Sequence, residues 1–453
     1  MKNKINKSRL IYIVVFFGFI FFVLGVTDRV IRAKFIGDST TIVNGFYAEK
    51  KNDIDVIVIG SSNSFCTVNP IVLYDQYGIA AYDFGSSSQP MNISALYLKE
   101  ALKRQKPKVV ALEVNMMTGG SINAKNESAF RWGYTDIPLS FDKLKCIYQS
   151  LGSVDAEYFS YVFPVFRYHD RWKELSKIDY TYFFGDKTNY TKGYLETQSV
   201  TESAVSLSDY NIDGEVWLEE ENITYLDEMA ALCKKNGVEL LLFKSPREDW
   251  HRYDTEAIRE LAQERGLLFL DYNELYHDGS IVLDTVADFR DGEHLNDFGA
   301  QKVSMHFGEF LQENYDLPDR RNKEEQNSWD LASLYCARKG QKAYMGAQNA
   351  HDCLALLQSD SNYIIMVTEK VVKGKNPPEQ WVYKDGRVVL HKVWEEDGRE
   401  YIDVDKSKVV FSRQGVAYHV LIDGVEYYQL GNRWNIIVYD KVTQEVTALT
   451  FSE

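Results

Sequence analysis

Two segments far apart in the chain carry the residues best suited to chemistry. Val56-Ile57-Val58-Ile59-Gly60-Ser61-Ser62-Asn63 is an apolar run entering a Gly-Ser-Ser turn. Asp291-Gly292-Glu293-His294-Leu295-Asn296 sets a carboxylate three residues before an imidazole. A serine at a sharp strand end supplies a nucleophile, and a histidine oriented by a carboxylate supplies its base; the pair points to acyl transfer. Ser62 is the expected nucleophile, His294 the general base and Asp291 its orienter. By chemistry alone, Ser61 and Ser64 are alternatives to Ser62. The oxyanion of such a reaction needs hydrogen-bond donors. The Ser62 and Gly85 N–H groups are candidates, and Gln89 or Asn115 can add a side-chain amide.

These residues need a scaffold, and the pattern supplies one. Residues 56–59 are continuous and β-branched, as in a buried parallel strand. Strands are also expected at 80–84, 109–114, 238–243 and 267–270. Helices are expected at 93–104, around Tyr225 to Cys233, at 257–264 and at 298–314, with Asn296 as the cap of the last. Gly237 and Gly266 fall where helices end. Strands alternating with helices imply an α/β domain, a parallel sheet covered on both faces, spanning 32–317. Ligands of such sheets bind at the carboxyl ends of the strands, where Ser62 falls. Residues 32–50 read as a short stalk into that domain.

An aromatic-rich stretch, 118–220, interrupts the alternation as a large insertion. It reads either as a lid or substrate wall, or as a helical subdomain away from substrate. Within it, His169, Arg171 and Trp172 belong to a polar-aromatic cluster that can contact substrate or form an internal salt-bridge network.

Lys2, Lys4, Lys7 and Arg9 precede an unbroken apolar run from Leu10 to Val26. Its length is at the short end of a membrane-spanning helix, and the basic flank places the N-terminus in the cytoplasm. Residues 1–31 therefore read as a cytoplasmic tail and single-pass anchor, with the bulk of the chain extracytoplasmic. A cleaved signal peptide is the alternative, disfavoured by the lack of a small-residue cleavage pattern. The net charge of −15 excludes a basic nucleic-acid surface. The five cysteines lack metal or redox spacing, and no cofactor or metal is expected. Cys336 and Cys353 could pair outside the cell, whereas Cys233 reads as a buried free thiol.

A charged stretch, 317–327, marks a linker. Beyond it, 328–453 reads as short strands separated by turns, including Asp385-Gly386 and Asp423-Gly424, and so as an all-β sandwich module.

Gly60-Ser61-Ser62 after the first strand, Gly85 after the second and Asp291-x-x-His294-Leu295-Asn296 before the last helix resemble the SGNH/GDSL hydrolase superfamily. The resemblance implies a three-layer fold and a Ser62–His294–Asp291 triad. It is nearest to membrane-anchored, DltD-like or alginate-acetylase-like proteins of bacterial cell-surface polymer pathways. Two departures stand out: Ser61 occupies the place of the first-block Asp, and Leu112-Glu113-Val114-Asn115 lacks the glycine context of the third-block Asn. The segment 435–446 is similar to the closing strands of interleukin-like EMT inducer domains, and 354–367 fits their earlier segment. That likeness implies a β-sandwich, carbohydrate-binding in some relatives.

The expected function is an extracytoplasmic, membrane-anchored serine O-acyltransferase or esterase acting on a cell-envelope polysaccharide through an acyl-enzyme. The resemblance implies a multi-pass membrane-bound O-acyltransferase as acyl-supplying partner. The alternative is a non-catalytic, anchored glycan-binding or scaffold protein with a degenerate hydrolase fold.

Overall fold

The computed structural model describes residues 7–118, 126–321, 327–358, 360–369, 379–385, 387–394, 396–404, 407–414, 417–428 and 433–452. Its first element is the helix Lys7–Ile31, whose stretch Ile11–Ile31 is long and apolar enough to cross a membrane and buries none of its residues against the rest of the chain.

Strands β1 (Val56–Ile59), β2 (Ala81–Asp83), β3 (Val109–Glu113), β4 (Glu239–Lys244) and β5 (Leu268–Asp271) form one sheet in the order β2-β1-β3-β4-β5. Every pairing in it is parallel. Alternate residues face opposite ways, as the two-residue period of a strand requires. Ile57, Ile59, Val110 and Leu112 pack with Leu96, Tyr225, Met229 and Ile258. Val56, Val58, Val109 and Ala111 pack with Leu73, Val303, Phe307 and Leu311. Helices thus cover both faces, and the expected α/β architecture is present. The strand order reverses at β1, so Ser62 stands at the crevice such a reversal opens. A hairpin of β6 (Phe289–Asp291) and β7 (His294–Leu295) then leads into the helix Asp297–Asn314. Asn296 caps that helix, accepting the Phe298 and Gly299 N–H groups at 3.0 and 3.2 Å.

The stretch read as a stalk is part of the core. Helix Ser39–Ala48 buries Ile42, Val43 and Phe46, and Phe46 stacks on Phe84 with ring centroids 4.0 Å apart. Its β-branched and polar residues obscured a helix that tertiary packing selects over intrinsic propensity.

Between Glu127 and Phe184 the insertion is mostly helical, with elements at Glu127–Thr135, Phe141–Leu151, Ala156–Val162, Val165–Tyr168 and Lys177–Phe184. Its ends meet where Thr118 bridges to Leu218.

The C-terminal part opens with two helices, Ser328–Met345 and Ala350–Gln358, where only strands were expected. Two antiparallel sheets follow. One holds β8 (Tyr363–Glu369), β9 (Glu379–Lys384), β10 (Arg387–Val393), β15 (Trp434–Asp440) and β16 (Val446–Phe451). The other holds β11 (Gly398–Val404), β12 (Ser407–Gln414), β13 (Ala417–Ile422) and β14 (Val425–Glu426). Ile364, Met366, Val382 and Ile437 of the first pack on Val409, Phe411 and Val420 of the second, which makes a sandwich. The two helices cover the first sheet's outer face through Tyr344, Cys353 and Leu357. The Asp423-Gly424 turn has left-handed backbone at both residues, as such hairpins require. Gly386 of the Asp385-Gly386 turn lies outside the described residues.

Cys336 and Cys353 do not pair. They lie on different helices, Cys353 packed inward and Cys336 with its Sγ 3.7 Å from the Tyr190 carbonyl oxygen. Cys233 is a buried free thiol, as expected. The described start of the linker is held to the first domain, because Arg320 forks onto Asp55 at 2.7 and 2.8 Å. Trp329 is buried against the first domain, with its indole N–H 3.0 Å from the Ala81 carbonyl oxygen.

Candidate active site

The chain must turn sharply after β1, and glycine permits it. A Cβ on Gly60 would sit 2.7 Å from the Glu113 Cβ, while one on Gly85 would press into the Gly60 carbonyl oxygen. The ends of β1, β2 and β3 are therefore in close contact beneath Ser62. The turn continues into the four-residue helix Ser62–Phe65.

The three serines of the turn separate by role. Ser61 caps the short helix and shares its Oγ with Asn63. Ser64 is buried and donates to the Ser61 carbonyl oxygen at 2.8 Å. Ser62 alone reaches the imidazole, its Oγ lying 2.8 Å from His294 Nε2. His294 Nδ1 lies 2.9 and 3.2 Å from the two Asp291 oxygens. A carboxylate only accepts, so Nδ1 carries the proton and Nε2 is left to accept from Ser62. The geometry unites the three residues expected to act together. The tight β6–β7 hairpin, with Asp291 opposite His294, brings the last two together.

Electrostatics suit a base. Burial pulls the His294 imidazole below its ordinary 6.5, with the Asp291 carboxylate opposing and Arg290 assisting. Burial alone would raise Asp291, but the Glu293 N–H, His294 and Arg290 outweigh it and hold the carboxyl below 3.8. Near neutral pH the imidazole is unprotonated and its partner is ionised.

Ser62 opens into a cleft of about 710 Å³. Asn115 lines it, and among the described residues its side-chain amide has only a 4.0 Å contact with the Met116 sulfur. That leaves the Asn115 Nδ2 group unspent beside the nucleophile, while Glu113 fixes its backbone by accepting the Asn115 N–H at 3.1 Å. The Ser62 N–H, at the first helical residue, belongs to the class that a helix leaves unpaired. Gly85 is buried below the cleft, and its loop contributes Ser88, held at φ 50. Such left-handed backbone in a residue other than glycine is strained, and strain concentrates at functional loops. Gln89 faces the other way. Its side chain is buried outside the cleft, accepting from Ser86 at 3.0 Å and donating to Ser94 at 3.1 Å, so it is not aimed at an oxyanion. Asn115→Ala is expected to slow acylation of Ser62 by about 10²–10³-fold in a burst assay, as loss of one oxyanion donor does. Gln89→Ala should leave that rate near the parent's.

His169, Arg171 and Trp172 are not part of the cleft. Arg171 donates to the Ile31 and Arg32 carbonyl oxygens at 2.6 and 2.5 Å and pairs with Asp179 at 3.0 Å. His169 Nδ1 meets the Phe166 carbonyl oxygen at 3.0 Å, and Trp172 is exposed. The charges of that cluster serve the end of the first helix, where cations suit unpaired carbonyls.

Several cleft residues escaped the sequence reading. Arg247 and Trp250 line the cleft from the loop after β4, and Glu215, Trp217 and Glu219 line it from the far end of the insertion. Asn63 Nδ2 donates to the Glu293 carbonyl oxygen at 2.7 Å, tying the serine turn to the histidine hairpin. Ser245 Oγ donates to the Asn63 carbonyl oxygen at 2.8 Å. Lys244-Ser245-Pro246-Arg247 directly follows a parallel strand, and the rule that placed Ser62 could have found it. A second cavity, of about 390 Å³, lies at the junction with the C-terminal part and contains none of the triad. No family model matches the chain, and no curated protein matches it.

Proposed function

We propose that this chain is a membrane-anchored serine O-acyltransferase or esterase that modifies a cell-envelope polysaccharide outside the cytoplasm. The observation that carries the reading is the continuous hydrogen-bond chain from Ser62 through His294 to Asp291, opening into a cleft with an unspent amide. The likeness of the serine turn and the Asp-x-x-His segment to the SGNH/GDSL superfamily supports it. The apolar helix supports the anchored location.

In this reading Ser62 Oγ attacks an acyl carbonyl as its proton passes to His294 Nε2. Asp291 stabilises the imidazolium, and the Ser62 N–H and Asn115 amide receive the oxyanion. The imidazolium protonates the leaving group, which departs and leaves the acyl group on Ser62. An acceptor hydroxyl then gives its proton to His294 and takes the acyl group, and the imidazolium returns that proton to the departing Ser62 oxygen; water in place of the acceptor makes the reaction hydrolysis. Trp217, Trp250 and Tyr253 line the cleft together with Glu215, Glu219 and Asp249. Ring faces and carboxylates together suit a polyhydroxylated, uncharged acceptor better than an anionic one.

The test is labelling of the full chain with a fluorophosphonate, alongside ester analysis of envelope polysaccharide in cells. Labelling is expected in the parent and lost in Ser62→Ala, with a matching loss of polysaccharide esters. Unchanged esters in Ser62→Ala cells would sink the catalytic reading and leave a glycan-binding scaffold.

A further inference from the structure

Three helical elements of the insertion, Val165–Tyr168, His169–Lys173 and Lys177–Phe184, pack against the apolar helix. The stretch Ile11–Ile31 has 21 residues, or about 31 Å at 1.5 Å per residue, close to the ~30 Å hydrocarbon thickness of a bilayer. Its last turn is therefore at the level of the headgroups. Three parts of the insertion bind that turn. The Val165 N–H donates to Asp28 at 2.7 Å, one helical turn before Arg32. Arg171 caps the Ile31 and Arg32 carbonyls. Asp179 joins Arg171 and Lys34, and Lys34 reaches back to the Val30 carbonyl oxygen at 2.7 Å.

The segment so positioned exposes large aromatic rings among charged side chains. Phe166, Trp172 and Phe184 are 57%, 62% and 80% exposed, and Val165–Tyr168 and His169–Lys173 bury no residue at all. Beside it, Arg29, Arg32, Lys34 and Lys187 line a small groove in which, among the described residues, Asp136 is the one carboxylate. Arg32 and Lys34 are paired, with Asp136 and Asp179. Among the described residues, Arg29 and Lys187 form no ion pair. Burial, then the charges of Arg29 and Arg32, pull the Lys187 ammonium below its ordinary value, and Asp136, already paired with Arg32, opposes them.

We propose that segment 156–187 is a collar lying in the bilayer interface, with Phe166, Trp172 and Phe184 among the headgroups and Arg29 and Lys187 on the phosphate of an anionic phospholipid. The proposal rests on the reading that the apolar helix crosses the membrane. Lipid fits better than a protein partner because the exposed rings lie on elements packed against a helix whose own surface is apolar and unburied. Aromatic rings beside basic groups are also the composition of a membrane–water interface. The collar would hold the active-site cleft in one orientation above the membrane.

The test uses the full chain with Cys336→Ser, reconstituted in phosphatidylcholine vesicles with and without phosphatidylglycerol. Phe184→Cys carries an environment-sensitive fluorophore; Val282→Cys, on an exposed loop after β5, carries the control. After flotation, brominated lipid should quench the label at 184 and spare that at 282. Arg29→Gln and Lys187→Gln should each lower retention of phosphatidylglycerol over phosphatidylcholine, read by mass spectrometry after detergent extraction, by about fivefold. Inorganic phosphate should compete only weakly; full displacement by it would make this a free-phosphate site and overturn the lipid assignment. A chain that does not float with vesicles removes the spanning helix and the collar together. A floating chain with a water-exposed label at 184 overturns the collar alone. Shielding of that label only in the presence of a second membrane protein also overturns it, in favour of a protein partner.

Discussion

Replacing His294 with alanine is expected to slow acylation of Ser62 by about four to six orders of magnitude, read as the burst rate with an activated ester. Without the imidazole, 2.8 Å from Ser62 Oγ, nothing in the triad can take the hydroxyl proton. The Ser62→Ala, His294→Ala double variant should be no worse than either single one, because nucleophile and base act as a unit. The pH profile adds a signed check. His294 must be neutral to act, and burial sets its pKa below 6.5. The rate should therefore climb with pH through a midpoint below 6.5 and stay level through neutrality. Asp291 opposes the effect of burial on His294 and fixes the Nδ1 proton. Asp291→Asn should thus move the midpoint still lower and cut the plateau by about 10⁴. A midpoint that rises in Asp291→Asn would remove Asp291 from the assigned role.

What could be read in advance was what depends on neighbours in sequence. Val56 to Ile59 is buried on both faces, so its composition announces a parallel strand without ambiguity. Gly60 and Ser62 follow directly, and Asp291 and His294 lie on one hairpin, so both halves of the triad are local features. Their union was legible only from the alternation of strands and helices between them. Arg247, Trp250 and Trp217 were not legible, because distant loops bring them to the cleft and no spacing signals that. Arg171 misled for a related reason. A cluster of charges and rings resembles a binding site, but its partners are the main-chain oxygens of Ile31 and Arg32, which leave no mark in the sequence. Gln89 has the right chemistry, and only its burial against Ser86 and Ser94 spends it. Helix Ser328–Met345 went unread because its apolar residues divide between two surfaces: Trp329 faces the first domain and Tyr344 the sandwich.

Glu113→Ala is expected to destabilise the first domain by about 3–5 kcal/mol, measured by urea unfolding of the detergent-solubilised chain. Glu113 Oε1 lies 3.1 Å from Lys244 Nζ, and both side chains are 0% exposed. Burial pulls the Lys244 ammonium below its ordinary value, with the Glu113 carboxylate the first influence opposing it. Removing the carboxylate leaves a buried cation supported by the Ser245 carbonyl oxygen at 2.9 Å and the face of Trp250 at 4.9 Å. It also takes the acceptor from the Asn115 and Ser245 N–H groups, loosening the cleft floor that carries the unspent amide. Glu113→Gln keeps an acceptor but not the charge. There the folded state disfavours the ammonium more than the unfolded chain does. The unfolded chain then binds more protons between the two pKa values, so stability should rise with pH in that window. The paired change Glu113→Leu, Lys244→Met removes both charges, and stability should return to near the parent's. Acylation should stay slow, because Asn115 still lacks its tether. A cost below about 1 kcal/mol for Glu113→Ala, or a paired variant no more stable than the single, would show that the ion pair is not what braces the cleft.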